Sequence, residues 1–357
     1  MKPQDSSVPI LITGGAGFIG SAVCRYLVGA GHRVVNLDAL TYAASLESLA
    51  TIASHANYTF EHADICDTEA VARILSQYKP YAVIHLAAES HVDRSIDDSS
   101  AAIRTNIDGT HILLRAVSAY WRNLRVENRD AFRFIHVSTD EVFGALGGDG
   151  RFNEESAYRP NSPYAASKAA SDHLVRAWAH TYDLPAIVAN SSNNYGPFQF
   201  PEKLIPTAIL CAVEGRPIPV YGAGNHVRDW LFVDDHVRAL ALLLKHGRTG
   251  ETYAIGGGNE QKNIDVVRAI CRLIDERLGG PPRETLIRFV EDRPGHDLRY
   301  AVDTGKISAE LGWRSQETFQ SGLARTVDWY LSNRTWWEAI QARGYRGERL
   351  GLRQFSA

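Results

Sequence analysis

The chain has 357 residues, 45% of them hydrophobic, and its 38 Lys plus Arg nearly balance 41 Asp plus Glu for a formal charge of −3. That is the composition of a globular protein with core enough for about two domains of roughly 150 residues, needing neither disulfides nor a structural metal. A near-neutral total excludes a surface built to coat a nucleic acid polymer or an anionic membrane, both of which demand clustered Lys and Arg; it leaves room for a local basic patch.

The chain opens as a short polar tail entering a strand, and the apolar run that follows is too short for a signal peptide. No window approaches the ~18 uninterrupted apolar residues of a membrane span. Strands are predicted over 8–13, 33–37, 82–86, 132–138 and 186–191, and helices over 18–29, 68–78, 101–120 and 163–182. Short apolar strands alternating with longer helices predict an α/β fold, a doubly wound parallel (Rossmann) sheet covered on both faces. After Asn194 the prolines at 197, 201, 206, 217 and 219 break the rhythm, with further helices expected only over 233–245 and 266–278. Residues 1–194 are therefore expected to form a dinucleotide-binding domain to which 231–254 returns. Residues 195–357 would be mainly a smaller mixed C-terminal substrate lobe, ending in an Arg- and Gly-rich tail over 343–357. Cys24, Cys66, Cys211 and Cys271 stand far apart, with no C-x-x-C pair and no histidine at ligand spacing. They read as reduced core thiols in a cytoplasmic setting, with no metal site.

Two motifs carry chemistry on their own residues. Gly14-Gly15-Ala16-Gly17-Phe18-Ile19-Gly20 lies between the first strand and the first helix, where glycines permit a tight turn and close approach of a pyrophosphate to the helix N-terminus. Asp38 ends the next strand, where a carboxylate bonds ribose hydroxyls and repels a 2′-phosphate; this favours NAD over NADP. Asp64, after a third strand, is a weaker adenine-side candidate that taken alone reads as a cap. The second motif is Tyr164 and Lys168, one turn apart on a helix opened by Ser162-Pro163. A cation there, together with an oxidised nicotinamide, would lower the tyrosine pKa and make its oxygen a base.

With these motifs the chain resembles the extended short-chain dehydrogenase/reductase superfamily. Within it, Thr139-Asp140-Glu141 at a strand end resembles the nucleotide-sugar 4,6-dehydratases, specifically the dTDP-glucose 4,6-dehydratase family, because epimerases of the superfamily do not carry two acids there. Leu86-Ala87-Ala88-Glu89-Ser90-His91-Val92-Asp93-Arg94-Ser95, Asn193-Asn194-Tyr195-Gly196-Pro197, Pro201-Glu202-Lys203-Leu204-Ile205-Pro206, Arg228-Asp229-Trp230 and Asp292-Arg293-Pro294-Gly295-His296-Asp297 extend the likeness from residue 9 to about 335.

The resemblance implies NAD as cofactor, dTDP-glucose as substrate and a homodimer paired through the helices at 101–120 and 163–182. It implies Tyr164 as base for the sugar's 4-hydroxyl, Lys168 beside it and Thr139 bonded to that oxygen. Glu141 would be the base at carbon 5, and Asp140 the acid for the departing 6-hydroxyl. Gly14, Gly17, Phe18, Ile19, Gly20, Asp38, Asp64, Ile65, Leu86, Ala88, Thr105 and Asn194 would line the cofactor. Asn193, Lys203, Arg228, Asn263, Arg293 and His296 would surround the diphosphate, with Tyr221 by the base and Ser90 and Leu204 also touching substrate. One departure is Phe143, where the family usually carries Tyr; it puts one sugar-contacting hydrogen bond in doubt, not the reaction type. Two other readings stay open: a nucleotide-sugar 4-epimerase, disfavoured by Asp140 and Glu141, and a non-catalytic dinucleotide sensor, which would need none of the four residues Asp140, Glu141, Tyr164 and Lys168.

Overall fold

A computed structural model describes residues 8–342; the tail expected at 343–357 lies outside the described residues. The strands, in chain order, are β1 (Ile10–Thr13), β2 (Val34–Asp38), β3 (Tyr58–His62), β4 (Ala82–His85), β5 (Arg133–Thr139), β6 (Ala186–Ser191), β7 (Asn193–Tyr195), β8 (Ile218–Tyr221), β9 (Val227–Phe232), β10 (Thr252–Ile255), β11 (Glu260–Lys262) and β12 (Ile287–Val290). Seven of them form one sheet in the order β10-β6-β5-β4-β1-β2-β3, every neighbouring pair parallel. Each residue of β1, β2, β4, β6 and β10 is buried, as apolar strands covered by helices on both faces must be. The order reverses between β1 and β4, so the crevice of a doubly wound sheet opens above their carboxyl ends, next to that of β5.

Local signals place the helices. Asp67 caps the helix Thr68–Tyr78 by accepting from the amides of Glu69 and Ala70. Ser162 caps Pro163–Tyr182 through the Ala165 amide, with Pro163 in the first turn, where its missing N–H is not needed. The helix expected at 101–120 departs from regularity: residues Ile103–Gly109 form a π-helical stretch between Ser100–Ala102 and Thr110–Arg122. There the Asn106 amide donates to the Glu89 carbonyl and to Ser167 Oγ, which ties the π turn to the β4 crevice.

Beyond β6 lie a three-stranded sheet (β11-β9-β7) and a two-stranded one (β12-β8). They pack with the helices Leu204–Glu214, Asn263–Leu278, Phe319–Ser332 and Arg334–Ala342 around a core that includes Tyr195, Phe232, Ile270, Tyr330 and Trp337. The helix at 204–214 was not expected, since Pro206 reads as a breaker; it sits in the first helical turn, where proline is tolerated. β9 runs straight into the helix Val233–His246, which joins the core beneath the helix Phe18–Gly29, and β10 then adds to the edge of the large sheet.

Candidate active site

The glycine loop follows β1 and opens the helix Phe18–Gly29. Gly14 holds φ +75°, and a Cβ there would fall 2.6 Å from the Ala87 amide nitrogen, so only glycine fits between the ends of β1 and β4. A Cβ on Gly17 would meet only the Gly14 carbonyl, at 3.3 Å. Packing does not demand glycine at that position, but a phosphate laid against the backbone does. Phe18, Ile19 and the buried Gly20 follow as the first helical turn, whose amides have no intrahelical acceptor. Asp38, 6% exposed, accepts from the Ala16 amide at 2.8 Å and the Leu40 amide at 2.8 Å. Burial raises its pKa against those two bonds. Loop and acid are thus one bonded unit that fits a dinucleotide with free ribose hydroxyls.

Asp64 is half-exposed, accepting from the Cys66 amide and from Arg104, while Ile65 is buried in the core beside it. Leu86 and Ala88 line the end of β4 and are partly buried, and Thr105 lies in the π turn. Asn194 is held by a buried histidine that the sequence reading passed over: His236 Nδ1 lies 2.9 Å from Asn194 Oδ1. Its own amide donates to Ser191 Oγ and the Ser192 carbonyl.

The β5 end brings the catalytic candidates together. Thr139 Oγ1 donates to Asp140 Oδ1 at 3.3 Å and accepts from the Glu141 amide at 3.2 Å. Asp140 is 1% exposed and its Oδ2 has no protein partner. Burial, then the charges of Glu141 and Asp229, push its pKa well up, against Arg228 and the Thr139 hydroxyl. Burial also raises Glu141, but Arg293, Lys203 and Arg228 all pull it back toward the ionised form. Both acids are thus raised, Asp140 further than Glu141, which three cations face.

Tyr164 and Lys168 lie on one face of the helix Pro163–Tyr182, both buried, with Lys168 Nζ donating to the Val137 carbonyl at 2.9 Å. Burial pushes Lys168 down to about 8. The lowered tyrosine pKa expected from the sequence is not produced by the chain alone. Burial and the charges of Glu141, Asp140 and Asp172 raise Tyr164, with only the Thr139 side chain opposing. Phe143 is 2% exposed, stacked 5.1 Å from Phe152 and edge-on to Tyr158 at 5.2 Å. An enclosed ring of this kind adds packing rather than a sugar contact.

The remaining substrate candidates converge from the lobe. Lys203 Nζ donates to the carbonyl of the exposed Ser90 at 2.8 Å, and Leu204 begins the adjacent helix. Asn193 Oδ1, Asn263 Oδ1 and Arg293 Nε are buried without a protein partner, polar groups arranged for something other than one another. Arg228 is 5% exposed and gives its donors to the Val227, Asp297 and Leu298 carbonyls; it acts as a buried positive charge behind Glu141. Three acids missed as site residues, although they stand in the quoted motifs, organise this wall. Asp93 accepts from Tyr221 Oη at 2.7 Å and from Arg293 at 3.2 Å. Asp292 bonds His296 Nδ1 at 2.7 Å, and Asp297 accepts from Asn161 and Tyr300. His226, also missed, stacks on His296 at 3.6 Å and 17° and reaches Asp292 at 3.2 Å. These three form a histidine–aspartate–histidine cluster. Near-parallel rings this close cannot both point a nitrogen at one ion, so the cluster holds His296 in place instead.

The chain matches the family described as GDP-mannose 4,6 dehydratase over residues 11–326. It is 58% identical over 349 residues to the dTDP-glucose 4,6-dehydratase of Neisseria meningitidis, covering 96% of this chain and 98% of that one. Among solved structures, the dTDP-glucose 4,6-dehydratase of Streptomyces venezuelae, with NAD bound, aligns at a TM-score of 0.85 and 44% identity over 93% of this chain and 100% of its own. The Bacillus anthracis enzyme of that name, in complex with NAD, aligns at 0.84 and 41% over 93% and 99%.

Proposed function

The chain belongs to the dTDP-glucose 4,6-dehydratase family of extended short-chain dehydrogenase/reductases, and from that premise we propose that it converts dTDP-glucose to dTDP-4-keto-6-deoxyglucose with NAD as its cofactor. The observation that carries this reading is the Asp140–Glu141 pair, two adjacent acids at a strand end with one held toward the neutral form and the other faced by three cations.

Gly14, Gly17, Phe18, Ile19 and Gly20 would hold the cofactor's pyrophosphate, Asp38 its ribose, and Asp64 and Ile65 its adenine side. Leu86, Ala88, Thr105, Asn194, Tyr164 and Lys168 complete that wall. Bound there, NAD supplies a reversible hydride acceptor, drawing on carbon 4 of the sugar and repaying carbon 6. Tyr164 takes the proton of the 4-hydroxyl while Thr139 holds that oxygen. The 4-ketone acidifies the proton on carbon 5, and Glu141 removes it. Asp140 gives its proton to the 6-hydroxyl, which leaves as water. Glu141, left protonated, returns a solvent-exchangeable proton to carbon 5 as carbon 6 is reduced, so no net oxidant is consumed. Asn193, Lys203, Asn263, Arg293 and His296 bind the diphosphate and Tyr221 the base, with Arg228 adding charge and Ser90 and Leu204 closing the sugar side.

In heavy water, dTDP-glucose is expected to give a 4-keto-6-deoxy product with deuterium at carbon 5 and no NAD consumed. A galactose-configured product would replace this reading with a 4-epimerase, and no turnover of any nucleotide hexose would leave a dinucleotide sensor. The same reading includes a cytoplasmic homodimer. The thiols described are all free, and no described helix is long and apolar enough to cross a membrane. Ile103 and Tyr182, 47% and 41% exposed on the two expected pairing helices, support the dimer, which light scattering would test.

A further inference from the structure

The helix Pro163–Tyr182 carries a third buried polar side chain on the face that presents Tyr164 and Lys168. Asp172 lies one turn beyond Lys168, as Lys168 lies one turn beyond Tyr164. It is 0% exposed and well supplied with partners. Tyr158 Oη donates to Asp172 Oδ2 at 2.7 Å and Asn190 Nδ2 to the same oxygen at 3.0 Å. His136 Nε2, on β5, stands 3.1 Å from Oδ1, a contact in distance whose alignment falls short of a full hydrogen bond. Arg176, one turn further along the helix, donates to Tyr158 Oη at 2.8 Å. Asn190 Nδ2 also donates to the Thr139 carbonyl at 3.1 Å, and the β5–β6 register sets Asn190 beside Ser138. The carboxylate is thus tied both to the helix that carries the tyrosine and to the strand end that carries the two acids.

A carboxylate this deeply buried is costly to keep unless it is charged for a purpose and paired. Burial alone would raise Asp172, but the His136 ring, the Lys168 charge and the Tyr158 hydroxyl hold it below the ordinary carboxylate range. It is therefore an anion at neutral pH. The histidines facing Lys168 from the sheet do not compete for its charge. Burial and Lys168 push His136 down to about 4, and burial pushes His85 well below its usual value. Facing Tyr164 from the β5 end are Asp140 and Glu141, whose charges, like that of Asp172 itself, oppose its ionisation.

We propose that Asp172 is a positioning residue of the dehydration reaction: a buried negative charge one helical turn from Lys168 that favours its ammonium form, braced through Asn190 against the Thr139 strand end. The proposal rests on the roles given above to Tyr164 and Lys168.

The test is the pH profile of dTDP-glucose turnover. Asp172→Asn removes the charge at nearly constant shape, and the basic limb of kcat is expected to move down by about one pH unit, as loss of a nearby opposite charge does. Tyr158→Phe removes a bond to Asp172 but no charge, and its limb should stay where the wild type's is. Asp172→Glu should restore the limb even if kcat is lower. If Asp172→Asn does not fold, Asp172→Ser removes the same charge while leaving room for water between Tyr158 and Asn190, with the same shift expected. A uniform fall in kcat with an unmoved limb would reduce Asp172 to a structural part. Wild-type turnover is the reference in the same assay: its absence would overturn the function and the role of Asp172 together, whereas an active wild type with an unmoved variant limb overturns Asp172 alone.

Discussion

Asp140 and Glu141 differ by one methylene and sit side by side; burial raises the pKa of both, but Asp140 further. Glu141 faces Arg293, Lys203 and Arg228, whereas Asp140 is sealed with an unpartnered oxygen and two neighbouring anions. Replacing Glu141 by Gln should leave the first oxidation visible in a single turnover, as a rise in reduced-nicotinamide absorbance. Water loss should slow by about 10²–10⁴-fold, the usual range for a lost general base; unimpaired elimination would remove Glu141 from that role. Asp140 predicts an effect on the fold as well. A buried acid whose folded pKa is raised binds its proton more tightly folded than unfolded, so its contribution falls as pH rises from the unfolded value toward the folded one. Asp140→Asn should therefore melt higher than the wild type at neutral pH. The two melting curves should converge in acid, below the ordinary carboxylate range. The same variant should lose dehydration, which is how a site built for chemistry differs from one built for stability.

At the level of elements, the helix Pro163–Tyr182 shows how a local signal becomes chemistry. Its cap, Ser162, stands two residues before Tyr164 and accepts from the Ala165 amide at 3.1 Å. Ser162→Ala should cost about 1 kcal/mol in thermal unfolding and lower turnover as well, because the first turn carries Tyr164, the proposed base. Asp67→Ala removes a comparable cap from Thr68–Tyr78, a helix with no site residue, and should cost similar stability with turnover unchanged. Equal activity loss in both would mean that the cap acts only through global stability. What was legible in the sequence follows the same divide. β1, β2, β4, β5 and β6 of the large sheet are mainly apolar and buried and could be read directly, whereas β3 (Tyr58–His62) mixes in Thr, Glu and His at the half-exposed edge and β10 follows the lobe that interrupts the rhythm. The helix Leu204–Glu214 was hidden by Pro206, and the π turn at Ile103–Gly109 by the absence of any local code for it. In the site, glycine spacing and the Tyr–Lys interval are periodic signals. Asp93, Asp172, His226 and His236 are not, for their partners lie on other elements: Tyr221 and Arg293 for the first, Asn190 and His136 for the second.

On the scale of the whole molecule, the chain leaves the large sheet at β6, builds part of the second core, returns through β9 and the helix Val233–His246 to β10, and then completes the second core with the helices Asn263–Leu278, Phe319–Ser332 and Arg334–Ala342. Further contacts cross between the two parts. Tyr42 donates to Glu202, Arg25 lies over the Phe198 ring at 4.2 Å, and the Trp336 indole donates to Ser48. A chain stitched in this way should unfold as one unit, and the tryptophans make that measurable. Of the seven tryptophans, Trp230, Trp329, Trp336 and Trp337 belong to the second core, whereas Trp121, Trp178 and Trp313 pack in the cores of the large sheet, so replacing those three by Phe leaves fluorescence to report the second core. NAD at 100 times its dissociation constant should stabilise the folded state by about 2.7 kcal/mol. If the two cores are one cooperative unit, tryptophan fluorescence and far-UV circular dichroism should shift together to a higher midpoint, although the residues proposed to hold NAD lie mainly around the large sheet. Two separated transitions, with the fluorescence transition unmoved by NAD, would show that the second core melts on its own and that the return through β10 does not couple them.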